Sequence, residues 1–141
     1  MATVTLTKEN FESTINDNDT VIVDFWAEWC GPCKMFAPTF EEASETHPDI
    51  VFGKVDTEDQ PELAGFFNIR SIPTLMIFRD QIGIFSQPGA LPEPALRDLI
   101  DQAQALDMDD VRRQIAESEE GEAHDHGDGH DHSEADGPIP V

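Results

Sequence analysis

Cysteine is scarce in this chain: two in 141 residues, Cys30 and Cys33. A zinc site made of thiolates alone takes four, so the pair cannot build one unaided. Bridging the two as a static staple closes only a four-residue loop, which removes little entropy from the unfolded state. Basic residues are also few, 8 against 30 acids, for a net charge of −22. A protein so acidic repels nucleic acid and anionic membrane surfaces, which argues against phosphate-backbone binding and against membrane association. No apolar run approaches the ~18 residues that span a bilayer. The opening residues, MATVTLTKEN, lack the basic leader and apolar stretch of a secretory signal. The expected location is therefore the cytoplasm, where a structural disulfide is kept reduced.

Hydrophobic residues make up 38 % of the chain, enough for one domain with a core but low enough that part of the chain is expected to stay unpacked. Charge divides the same way. Residues 1–106 carry 18 acids and 6 bases, and residues 107–141 carry 12 acids and 2 bases.

Strand-like and helix-like segments alternate along residues 1–106. Residues 3–6 read as a short strand, with Thr7 capping a helix that runs to about Asn16. VIVDFWA (21–27) has the continuous β-branched and aromatic pattern of a central strand covered on both faces. From Pro32 to about His47, Met35, Phe36, Phe40 and Ala43 fall at helical spacing; Pro32 suits the first turn and Pro38 should kink the helix. A strand at 50–55, a short helix near 59–67, and strands at 74–79 and 83–87 follow, the last two as a hairpin although DQIG is a weak turn signal. The helix expected over 93–106 places Leu96, Leu99, Ile100, Ala103 and Leu106 on one side. The order βαβαβαββα points to an α/β layer fold with helices on both faces of a mixed sheet.

Cys30 and Cys33 enclose Gly31 and Pro32 after a strand and at the start of a helix, the setting in which C-x-x-C reads as redox-active. The thiolate is the nucleophile, and the first cysteine of the pair faces unpaired N–H groups at the helix N-terminus. An anion there gains roughly 0.3–1 kcal/mol, up to ~2 when partly buried. That gain lowers the thiol pKa and raises the thiolate fraction at neutral pH. Cys33, one turn inside, is expected to be more buried and to act as the resolving thiol. The other reading of the pair is two ligands of a mixed zinc site completed by histidines elsewhere.

The motif VDFWAEWCGPCKMFAP, with SIPT at 71–74 and PGAL at 88–91, resembles thioredoxin over residues 1–106. The resemblance implies the thioredoxin fold, a five-stranded mixed sheet flanked by four helices, and reduction of disulfides in protein substrates, with a thioredoxin reductase restoring the dithiol. No further cofactor is implied, and a monomer is expected. Matched position by position, Cys30 attacks and Cys33 resolves. Trp29, Gly31 and Pro32 flank them, Ile72 and a cis Pro73 form the facing loop, and Gly89 and Ala90 extend the substrate groove. Trp26, Asp24, Lys54 and Pro38 also fall on family positions. Two departures stand out: RDQIG replaces the usual glycine-containing turn, and Pro88 stiffens one wall of the groove. A Gly-Pro dipeptide, with no histidine between the cysteines, favours a reductant over an oxidase.

Asp24 interrupts an otherwise apolar strand. An unpaired ionised group there costs several kcal/mol, so its pKa should rise. Beside the dithiol and with Lys54 in the adjacent segment, it is expected to accept the Cys33 proton. The bland alternative is a tolerated carboxyl with a polar partner, and Lys54 reads equally as a surface lysine. Trp26 and the phenylalanines are expected in the core, and Trp29 on a contact surface.

Beyond the domain, residues 107–119 read as one more short acidic helix with Met108, Val111 and Ile115 on its apolar side. Residues 120–141 lack periodicity and are expected to be disordered. Within them, HDHGDGHDH holds His124, His126, His130 and His132, four of the chain's five histidines. Imidazoles and carboxylates so spaced suit weak zinc, nickel or copper binding; a solvated acidic tail is the plain alternative. A second class of function follows, a thioredoxin-fold scaffold whose tail handles metal or partners.

Overall fold

Thr20–Trp26 forms the central strand, β2, and its side chains alternate between two cores. The computed structural model describes residues 2–124 and 139–140. Around β2 lie β1 (Val4–Thr5), α1 (Phe11–Asp17), α2 (Gly31–Thr46), β3 (Val51–Asp56), α3 (Pro61–Phe66), β4 (Thr74–Arg79), β5 (Ile82–Pro88), α4 (Glu93–Ala105), α5 (Met108–His124) and β6 (Ile139–Pro140). The sheet order is β1-β3-β2-β4-β5-β6. β1, β3 and β2 run parallel, and β4, β5 and β6 each pair antiparallel with the strand before them in that order. This is the expected five-stranded mixed sheet, with the two residues of β6 added on the β5 edge.

Because successive strand residues point to opposite faces, Ile22, Phe52, Leu75 and Ile77 meet Phe36 and Phe40 of α2 and Leu96, Ile100 and Ala103 of α4. On the other face Val21, Val23, Phe25, Val55, Met76 and Phe78 meet Phe11 and Ile15 of α1, with Leu63 and Phe67 beside them. The helices thus cover both faces, as the segment order implies. Gly53 marks a close approach: a β-carbon there would collide with Cδ1 and Cγ of buried Leu6.

Several local expectations change. Thr7 does not cap α1; its carbonyl accepts the Phe11 N–H, the Asn10 side chain accepts the Thr7 N–H, and the helix proper starts at Phe11. Met35 and Phe66 are not packing residues but lie 80 % and 77 % exposed, and Leu106 falls past the end of α4, also exposed. Helical spacing fixes a face without revealing whether a neighbour covers it. α5 continues past residue 119 to His124, through Glu120, Glu122 and Ala123 and despite Gly121, a poor helix former. The expected disorder of the tail, and His126, His130 and His132, lie outside the described residues.

Candidate redox site

Only residues 27–30 separate the end of β2 from the start of α2, so the dipeptide Gly31-Pro32 enters the helix one short loop after the central strand. Cys30 is the N-cap of α2, with extended backbone geometry, and its Sγ accepts the N–H of Cys33 at 3.2 Å. This is the anion-favouring position expected for the attacking sulfur. Proline in the first turn loses no helical hydrogen bond there. Cys30 and Cys33 are joined as a disulfide with their Cα atoms 5.2 Å apart. Both are buried in this oxidised form, 4 % and 2 % exposed. A disulfide is not a metal-ligand pair, and among the described residues no three His, Cys, Asp or Glu side chains group to hold a metal.

The loop before β4 faces the pair. The Ile72–Pro73 peptide bond is cis, and the Ile72 carbonyl oxygen lies 3.7 Å from Cys30 Sγ. Ile72, Trp26 and Ala27 pack around the two cysteines. Gly89 takes φ 105°, which side chains resist, and its N–H donates to the Pro73 carbonyl at 2.7 Å. The segment Gly89-Ala90 is thereby tied to the loop that touches Cys30. Trp29, next in sequence to Cys30, is 68 % exposed and supplies an apolar surface beside the disulfide. Met35, the fifth residue of α2, is also exposed.

Beneath lies the strand carboxyl. Asp24 is 1 % exposed, and neither of its oxygens has a hydrogen-bond partner among the described residues. It pairs in register with Lys54 of β3 and Leu75 of β4. Alternation places Asp24 on the Ile22 face of β2, the face against which α2 packs. Burial pushes its carboxyl up to about 7, opposed by the charge of Lys54. The plain alternative, a carboxyl satisfied by a polar neighbour, does not match this arrangement. Lys54 is not a free surface lysine either: its Nζ stands 4.8 Å from the centre of the Trp26 ring, a cation–π contact. Trp26 is partly buried, with its backbone carbonyl accepting from Thr57 N–H and Oγ1.

Sequence reasoning overlooked Thr57, whose place follows from β3 ending beside Trp26. The structure brings Cys30, Cys33, Trp29, Gly31, Pro32, Ile72, Pro73 and Gly89 to one end of the sheet, with Ala90 directly following. Asp24, Lys54 and Trp26 line the strands leading to it. His124 ends α5 and belongs to a different part of the chain.

The thioredoxin family model matches residues 2–102. A thioredoxin-named relative from Streptomyces coelicolor is 64 % identical over 118 residues, 84 % of this chain and 88 % of its own. That span exceeds residues 1–106, so the match continues into α5. Thioredoxin C-3 of Corynebacterium nephridii is 43 % identical over 100 residues, 70 % of this chain and 69 % of its own. Among solved structures, Plasmodium falciparum thioredoxin superposes with a TM-score of 0.66 at 40 % identity, covering 71 % of this chain and 97 % of that one. The oxidised mitochondrial thioredoxin 3 of Saccharomyces cerevisiae gives 0.66 at 33 % identity, with 71 % and 94 % covered.

Proposed function

The chain belongs to the thioredoxin family, a protein-disulfide oxidoreductase by its Cys30–Cys33 pair, and we propose that it works as a reductant of disulfides in other proteins. The observation that carries this reading is a disulfide at a helix N-terminus, faced by the Ile72–Pro73 loop and flanked by exposed Trp29.

In the reduced protein the Cys30 thiolate attacks one sulfur of a substrate disulfide. The substrate S–S bond breaks, a mixed disulfide forms, and one substrate thiolate leaves. Cys33 then gives its proton to Asp24 and attacks Cys30 Sγ. The mixed disulfide breaks, the second substrate thiolate leaves, and the Cys30–Cys33 disulfide closes. Two electrons have passed to the substrate, and a thioredoxin reductase returns two to the pair. Trp29, the Ile72–Pro73 loop and Gly89-Ala90 receive the substrate backbone, in a monomer acting in the cytoplasm.

Reductase-coupled reduction of a protein disulfide tests this. Cys30→Ser abolishes turnover; retained turnover would leave the scaffold reading instead. Asp24→Asn slows reduction near pH 7 and alters the pH profile, because a carboxyl titrating near 7 is lost. An unchanged rate and profile would remove Asp24 from the mechanism.

The spacing of His124, His126, His130 and His132 supports a second, separate role in weak binding of zinc, nickel or copper. Calorimetry with zinc on the full chain and on a chain ending at residue 118 decides it; equal heats would dismiss it.

A further inference from the structure

The hairpin β4–β5 turns through Asp80 and Gln81, at φ 52° and 70°. A two-residue hairpin turn demands this left-handed geometry, which glycine meets freely; aspartate tolerates it and glutamine resists it. Part of the support for the turn comes from the domain itself: the Asp80 N–H donates to the Asp19 carbonyl. The Gln81 side-chain amide also donates to the Asn16 carbonyl at 3.4 Å, and further support comes from beyond residue 106. Arg112 Nη1 lies 3.1 Å from Asp80 Oδ2, while its Nη2 is held by Asp109. Ile82, the first residue after the turn, is buried with Met108 and Val111 of α5, and Ile84 and Ile115 pack alongside.

Two further contacts fix where α5 starts. Asp107 Oδ1 accepts the N–H groups of Asp109 and Asp110, capping the helix. Arg79, the residue before the turn, donates through Nη1 to the carbonyls of Ala103, Gln104 and Leu106, holding the link between α4 and α5. The chain then returns to the same place, for Ile139 and Pro140 pair with Gly83 and Ile82. An open strand edge invites pairing with other chains, and here its first two residues are covered.

We propose that α5 is a clamp on the β4–β5 hairpin, holding its unfavourable turn at the end of the sheet opposite the disulfide. The apolar contacts seat the helix, and Arg112 fastens it to Asp80. The clamp acts on local opening of the hairpin and leaves the thiol chemistry alone.

Native-state amide hydrogen exchange on the full chain tests this, with Val111→Asp/Ile115→Asp to unseat the helix and Arg112→Gln as a milder variant that keeps the apolar contacts. In the double variant, amides of residues 78–84 should exchange at least about tenfold faster relative to those of β2 and β3. Arg112→Gln should give a smaller rise, about two- to fivefold, confined to residues 80–83. Disulfide reduction should stay within about twofold of the parent in both. Hairpin amides that exchange as in the parent would overturn the proposal. So would an equal acceleration throughout the sheet, which would mean general rather than local support. Should the double variant fail to fold, an Arg112→Gln profile identical to the parent's would overturn it alone.

Discussion

Asp24 is in conflict with its surroundings, and that conflict has a thermodynamic sign. Its carboxyl titrates at about 7 in the folded chain, against ~3.9 for an unfolded aspartate. The unfolded chain therefore gives up this proton first as pH rises. Below about pH 4 both states are protonated and the group costs nothing; from there to about pH 7 stability falls, and above that the loss is complete. A three-unit shift corresponds to something on the order of 4 kcal/mol. Asp24→Asn should accordingly raise the denaturation midpoint at pH 8 and hardly move it at pH 4, as chemical unfolding at the two pH values would show. Asp24 was legible in sequence because a carboxyl inside VIVDFWA breaks an apolar run. Its pairing opposite Lys54 was legible only as proximity, since register depends on which strands become neighbours. Met35 and Phe66 were misread for the reason that an apolar side chain at helical spacing looks the same whether or not something packs over it.

At the level of elements, the order of strands and helices could be read because each long segment keeps one period. Boundaries and turns carried less signal. Asp80-Gln81 lacks the glycine that announces a two-residue turn, yet the turn forms, held by contacts distant in sequence. Arg79 shows the same limit. It reads as the polar end of a strand, but its guanidinium reaches three carbonyls at the C-terminal end of α4, where a cation is favoured. Hydrogen bonds to a charged group contribute about 1.5–3 kcal/mol. Arg79→Ala should lower stability by about that amount, measured by urea unfolding. The rate of disulfide reduction should not change, because Arg79 stands at the far end of β4 from Pro73.

Across the whole molecule, charge is the dominant fact, and it was visible from composition alone. A net charge of −22 should steer encounters with substrates. Basic disulfide proteins should be reduced faster than acidic ones at low ionic strength, and the gap should close at about 0.5 M salt, where screening is short-ranged. Stopped-flow reduction of a matched basic and acidic substrate over a salt series would measure it. The destination of the tail was less legible, since a weakly amphipathic helix reveals an apolar side without naming the strand that receives it. The length of β4 then has an electrical consequence. Its six residues, at about 3.3 Å each, set the Asp80 turn, where α5 is fastened, roughly 20 Å from the loop that faces Cys30. That exceeds two Debye lengths, at about 8 Å each in physiological salt. Charge added to or removed from the segment fastened at that turn is therefore almost unfelt by the Cys30 thiolate, which leaves the composition of that segment free to vary while the thiolate stays the same.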